Sequence, residues 1–154
     1  MYRVGHRIEI EVVDVIVDVP TSSVALAVNE ITREKNKILL VSGGATSDLT
    51  GKACSPNTIH WTYDTYMLAN GTGKAVTKAG GDSWFFITAD YAFGKALERD
   101  VSEVVERNGG KVLGSVRHPV AATDYSSFLI QAQGSRAKVI GLANAGSDTI
   151  NTIK

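Results

Sequence analysis

The sequence predicts an α/β protein, with Rossmann-like parallel sheets and flanking helices. Three observations lead there. Short apolar runs alternate with segments whose apolar residues recur at helical spacing, a pattern that goes with parallel sheets covered by helices. One run, Trp84 to Ile87, is continuously apolar, as in a strand buried on both faces. The residues after each run are polar and rich in Gly, Ser and Thr, and they fall where open α/β sheets bind ligands.

The elements follow in order. Residues 1–13 show little pattern beyond the alternation of Ile8, Ile10 and Val12 with Arg7, Glu9 and Glu11, which predicts a frayed end or an edge strand. Asp14–Val19 predicts a strand, closed by Pro20, which has no N–H to give a ladder. Val24, Val28 and Ile31 share one face of a helix running to about Lys35, and Ile38–Ser42 is the next strand. Gly51–Thr62 reads as a link with a short extended piece at Thr58–Thr62, and Trp61 and Tyr63 are expected to help cover the core. Asp64 can cap a helix from about Thr65 to Ala79, with Met67 or Leu68, Ala75 and Ala79 inward. Within it, Gly71-Thr72-Gly73-Lys74 is not a phosphate loop. The first glycine of that motif is absent, Ala75 replaces its Ser or Thr, and no strand precedes it. Small residues there predict close helix packing instead.

Gly80-Gly81 ends that helix. The strand around Trp84–Ile87 leads through Thr88, Ala89 and Asp90 to a helix opened by Gly94, with Leu97, Val101, Val104 and Val105 on one face. Lys111–Val116 is a strand, Arg117-His118-Pro119 a turn, and Tyr125–Gln133 a helix with Phe128, Leu129 and Ala132 inside. Lys138–Ala143 is the last strand, and Thr149–Lys154 begins a last helix.

Composition narrows the function classes. Hydrophobic residues at 44% and charged residues at 21% give a globular rather than a disordered chain. Lys plus Arg balances Asp plus Glu at 16 each, which argues against a nucleic-acid partner. No apolar run approaches the ~18 residues of a membrane span. The start has no charged stretch followed by an apolar one, so no signal peptide is expected. Cys54 is the single cysteine, expected as a small buried residue or as the partner of a cysteine outside this stretch, and His6, His60 and His118 lack metal-ligand spacing. No metal and no cofactor are expected. No Gly-x-Gly-x-x-Gly follows the first strand and no Gly-x-Ser-x-Gly elbow is present, which argues against an enzyme.

Four polar loops carry the binding hypothesis: Thr21–Ser23, Gly43–Ser47, Asp90–Phe93 and Asn144–Asp148. Thr21 or Ser22 suits an N-cap, and the same hydroxyls with the free N–H groups of a helix start suit a carboxylate. The glycines at 43 and 44 let backbone approach a ligand, or simply form a loop into a short helix capped by Thr46 or Ser47. Tyr91 and Phe93, beside Asp90, form either a binding rim or the packing of a strand-to-helix corner.

Four stretches, VDVPTSSVALAVNE (17–30), LLVSGGATSDLTGKACSPNTIHWTYDTY (39–66), WFFITADYAFGKALERD (84–100) and KVIGLANAGSDTI (138–150), resemble the middle of a type 1 periplasmic binding protein of the leucine/isoleucine/valine-binding kind. The order of elements matches as well. The resemblance implies two Rossmann-like lobes joined by a hinge and closing on a ligand. It assigns residues 1–62 to a partial first lobe with link, 63–80 to a helix packing on that lobe, and 81–154 to a partial second lobe. It implies periplasmic, non-catalytic binding of a small carboxylate-bearing solute, an aromatic acid or an amino acid, for the membrane subunits of an ABC importer. Alternative readings are a ligand-sensing domain of a receptor or regulator, or an inactive truncated fragment.

By the same resemblance Thr21 and Ser22 match a carboxylate-holding position, Gly44 and Thr46 a second first-lobe contact, and Phe93 with Tyr91 an aromatic from the second lobe. Asn144 to Asp148 matches a ligand-facing loop in which Ala145 replaces an aromatic and Asp148 matches an acid. Family members are much longer than this chain, which resembles a fragment without the opening and closing strands. Exposed sheet edges are therefore expected to drive self-association.

Overall fold

A computed structural model of the chain describes residues 13–154. The expected edge strand or frayed end at the start lies largely outside the described residues. The chain divides between Asp64 and Thr65 into two compact units, and each holds a three-stranded, all-parallel sheet.

In the first unit, β1 (Val15–Val17), β2 (Ile38–Val41) and β3 (Thr58–His60) pair in that order. Val15 lies beside Ile38, and Leu40 beside Ile59. The stretch read as a link thus supplies a paired strand. Trp61 and Tyr63, just after it, are exposed rather than covering the core. Helix α1 (Ser22–Glu34) packs on one sheet face through Ala25, Val28, Asn29 and Thr32. This stripe is rotated from the expected Val24, Val28 and Ile31, and Val24 is exposed.

Two facts explain the rotation. Small Ala25 sits where the chain after β2 comes closest, and Asn29 finds partners on that side. Its amide N–H donates to the Ala53 carbonyl at 2.9 Å, and its oxygen accepts from the Thr58 hydroxyl at 2.5 Å. A buried polar group left unpaired costs about 1–3 kcal/mol, so these partners are what permit Asn29 on the inner face. Val19, Ala25, Val28, Leu39, Val41 and Leu49 form the core. Cys54 is exposed, contrary to expectation, because the turn that carries it faces solvent.

The second unit opens with α2 (Thr65–Leu68), a π-helical turn (Ala69–Gly73) and α3 (Lys74–Lys78). Thr65, Ala69, Gly73 and Thr77 face inward, every fourth residue, because the wide turn delays the helical phase. Ala75 and Ala79, expected inside, are exposed, and of the alternatives Met67 and Leu68 the first is exposed and the second half-buried. These helices pack on α4 (Ala92–Arg107), and residues 65–80 fall in the second unit. The contact is close: a Cβ at Gly73 would lie 3.3 Å from Val101, and the Thr65 hydroxyl donates to buried Asp100 at 2.6 Å.

The remaining elements are β4 (Ser83–Ala89), β5 (Lys111–His118), α5 (Ser126–Gly134), β6 (Val139–Ala143) and α6 (Ser147–Ile153), with strand order β5-β4-β6. Trp84 and Phe86 pack with Val101, Val104 and Val105 of α4. Phe85 and Ile87 face the other way, toward Phe128 and Ala132 of α5. Leu129, expected inside, is partly exposed at 39%. Among the described residues no helix is long and apolar enough to cross a membrane.

Candidate functional site

In the first unit, four predicted residues gather at the carboxyl ends of β1 and β2. A Cβ at Gly44 would lie 2.8 Å from the Ala25 Cβ and 3.0 Å from the Val19 carbonyl oxygen, so only glycine lets the loop after β2 lie against the start of α1. The closeness is fixed by a hydrogen bond: the Thr46 N–H donates to the Ser22 hydroxyl at 3.2 Å, with both residues buried. Thr46 in turn caps the 3-10 turn Ser47–Leu49, its hydroxyl accepting from the Asp48 N–H at 3.3 Å.

Thr21 is the N-cap of α1 by backbone, yet its hydroxyl makes no cap hydrogen bond, and it is exposed. Capping by a Thr21 or Ser22 hydroxyl is therefore not what the structure shows, since Ser22 is turned toward Thr46. The start of α1 carries the positive end of the helix. Chemically, this junction offers N–H groups and a free-standing hydroxyl to an anion.

The second unit holds the other four predicted residues. Tyr91 is the extended N-cap of α4 and is half-buried; its ring lies 5.9 Å from that of buried Phe93, tilted by 43°. The start of α4 is pressed against the strand ends, because a Cβ at Gly94 would fall 2.1 Å from the Ala89 carbonyl oxygen and 2.8 Å from that of Ala143. Beside the aromatics, Lys95 pairs with Asp90 at 2.8 Å and holds its carboxyl below the usual range.

Asn144 and Asp148 are buried, and both are engaged internally. The Asn144 amide N–H groups lie 3.3 Å from His118 Nε2 and 3.2 Å from the Thr152 hydroxyl, and its oxygen accepts from Thr149 at 2.8 Å. The Asp148 carboxylate accepts from the Ala121 N–H at 3.0 Å.

Sequence reasoning missed two members of this group, His118 and Tyr125. His118 is fully buried, and its ring meets Tyr125 edge-on at 4.9 Å. Burial first, and the nearby Asp148 carboxylate after it, push the Tyr125 phenol up to about 12, so it stays protonated. Part of the signal was present: Val116 packs on the α5 side of the sheet and His118 follows it at period two, although a register shift after Val112 breaks the alternation earlier in the strand. Pro119 had suggested that the strand ends sooner.

The structure thus gathers Thr21, Ser22, Gly44 and Thr46 in one unit, and Asn144 and Asp148 in the other. In that second unit the Tyr91–Phe93 pair stands at the start of α4. Among the described residues no group of His, Cys, Asp and Glu is arranged to hold a metal ion.

Residues 8–154 match the family model described as periplasmic binding protein, and the chain belongs to that family. A solved periplasmic binding protein from Burkholderia mallei is 52% identical with a TM-score of 0.95; the match covers 97% of this chain and 40% of that one. Leu/Ile/Val-binding protein homolog 6 of Brucella melitensis is 24% identical over 131 residues, 84% of this chain and 33% of the relative. A solute-binding protein of an ABC transporter from R. palustris, solved with benzoate, shares the fold at 22% identity and a TM-score of 0.88, over 97% of this chain and 42% of that one. The chain therefore spans well under half the length of these relatives.

Proposed function

We propose that this chain takes part in non-catalytic binding of a small carboxylate-bearing solute, an aromatic acid or an amino acid. In this reading the full-length protein serves the membrane subunits of an ABC importer from the periplasm. The observation that carries the reading is the Ser22–Thr46 hydrogen bond. It draws the start of α1 and the capped 3-10 turn together while leaving the Thr21 hydroxyl exposed. A helix start with an exposed hydroxyl and N–H groups recognises a carboxylate without any titratable partner. Gly44 allows the backbone approach. Within the second unit, Tyr91 and Phe93 offer aromatic surface to a ligand, with Tyr91 the more accessible of the two. In this reading Asn144 and Asp148 also serve ligand binding, by holding their own loop through the internal bonds already described. The family membership and the benzoate-bound fold relative agree with a solute-binding role.

The test is a thermal-shift titration of the chain with benzoate, 4-hydroxybenzoate and leucine, with benzamide as the uncharged control. Stabilisation by a carboxylate and none by benzamide is the expected result. Thr21→Ala is expected to weaken carboxylate binding about tenfold, the value of one hydrogen bond to a charged group. Equal shifts with benzamide, or none with any carboxylate, would overturn the reading.

A further inference from the structure

We propose that His118 is a positioning residue for the second unit's ligand-binding loop, fixing Asn144 and with it residues 144–148. The proposal rests on the solute-binding reading and concerns a residue outside the predicted set.

The hydrogen bonds assign its role. His118 Nδ1 lies 2.8 Å from the Pro119 carbonyl, which can only accept, so Nδ1 carries the proton. Nε2 is then an acceptor, and it takes one hydrogen of the Asn144 amide at 3.3 Å. The other hydrogen goes to the Thr152 hydroxyl, which itself donates to the Asp148 carbonyl at 2.6 Å. Thr149 donates to the Asn144 oxygen. Both N–H groups and the oxygen of the Asn144 amide thus have partners, and reversing the amide would set its oxygen against two acceptors, His118 Nε2 and the Thr152 oxygen whose hydrogen is given to the Asp148 carbonyl.

A second tie joins the same two loops. Ala121 has a φ of 59°, a left-handed backbone that costs a non-glycine residue roughly 1 kcal/mol or more. Its N–H is held by both carboxylate oxygens of Asp148, at 3.0 and 3.3 Å. The segment after β5 and the segment after β6 are thus bracketed at His118–Asn144 and at Ala121–Asp148. His118, Asn144 and Asp148 are buried, whereas Ala121 is exposed, as are Ala145, Gly146 and Ser147 at the carboxyl end of β6. Ligands of open α/β sheets sit at such strand ends. The imidazole itself is fully buried, so it acts on a ligand only through the loop it holds.

The test compares His118→Phe and His118→Gln with the parent chain. Phenylalanine keeps a ring against Tyr125 and Phe128 but offers no acceptor to Asn144; the glutamine amide oxygen offers one again. Affinity for benzoate or leucine, whichever the parent binds, is expected to fall about tenfold or more in His118→Phe and to recover at least partly in His118→Gln. Amide exchange at residues 119–125 and 144–148 should quicken in the phenylalanine variant alone.

If the parent binds and His118→Phe binds equally well, the inference fails while the solute-binding reading stands, and a lowered melting temperature alone does not rescue it. If the parent binds no carboxylate, the solute-binding reading fails first and this proposal with it. Should His118→Phe not fold, His118→Gln decides: unchanged affinity and exchange support an acceptor role, and loss of binding in a folded variant overturns it.

Discussion

The two units share a plan, three parallel strands with helices, and differ in how the sheet is covered. In the second unit the central strand β4 is buried along nearly its whole length, with α4 over Trp84 and Phe86 and α5 over Phe85 and Ile87. In the first unit the central strand β2 is buried at Leu39 and Val41, while Ile38 is 45% exposed. Register places Val15 and Val17 of β1 and Ile59 of β3 on that same open face. Both central strands are apolar runs, so the run alone does not say whether one face or two is covered. Cover is a property of the helices available, and the described part of the first unit has one long helix, α1, where the second has α4 and α5 on opposite faces.

The sharpest way to test this contrast is to remove a ring from the doubly covered sheet. Phe86 is 1% exposed, stacks on Trp84 with ring centroids 6.0 Å apart, and lies over Gly141, where a Cβ would fall 2.5 Å from the ring. Phe86→Ala is expected to cost about 3–5 kcal/mol, the usual range for emptying an aromatic site in a core. Denaturant unfolding followed by tryptophan fluorescence reads this directly, since Trp84 is its neighbour. A cost below about 1 kcal/mol would mean that the second unit is no better packed than the open face of the first.

The same contrast shows what the sequence could and could not tell. The α/β class and nearly every element were legible, because periods of two and of 3.6 are local properties of the chain. The helical faces of α1 and of residues 65–78 were not. Ala25 and Asn29 point inward because Gly44, Ala53 and Thr58 meet them there, and these are contacts across more than eighteen residues of chain. The π turn likewise shifts the inward file to Ala69 and Gly73 in a way no hydrophobic period announces. At the candidate site, glycine and hydroxyl loops following strands identified the first-unit group. The internal engagement of Asn144 was hidden, since it depends on His118, twenty-six residues earlier and held inward by a strand that runs longer than Pro119 suggests; that of Asp148 depends on Ala121, just beyond the same strand.

A smaller effect separates the helix starts that provide this cover. Asp124 accepts from the Ser126 N–H at 2.9 Å at the start of α5, and this backbone hydrogen bond, followed by one from the Ser126 side chain, holds its carboxyl below the usual range. The first turn of α1 has no acidic residue. A carboxyl whose pKa is lower folded than unfolded adds stability that is fully present above the unfolded value of about 3.9 and fades as pH falls through the folded value. The parent is therefore expected to exceed Asp124→Asn in stability at neutral pH, with the difference shrinking below about pH 4. Melting temperatures of the two proteins across that range check it. A difference that grows with acid would show that the carboxylate is not favoured by the fold.

The least change in stability is expected on the open face of the first unit, and there the consequence lies in association. Val17 is 59% exposed and Ile59 54%, and substitutions at such sites usually stay within about 0.5 kcal/mol. A parallel sheet is ordinarily covered on both faces, and the chain has a net charge of +0 to oppose contact between copies. We therefore expect the parent to self-associate in light scattering as concentration rises, through this face as well as through free sheet edges. Val17→Lys should reduce that association while leaving the unfolding midpoint nearly unchanged, because the lysine adds charge where little is buried. If the parent stays monomeric, the open face is tolerated as it stands, and the difference between the two units is one of packing alone. If Val17→Lys instead destabilises the fold as strongly as a core truncation, β1 is covered in solution, and the contrast drawn between the two sheets is wrong at its base.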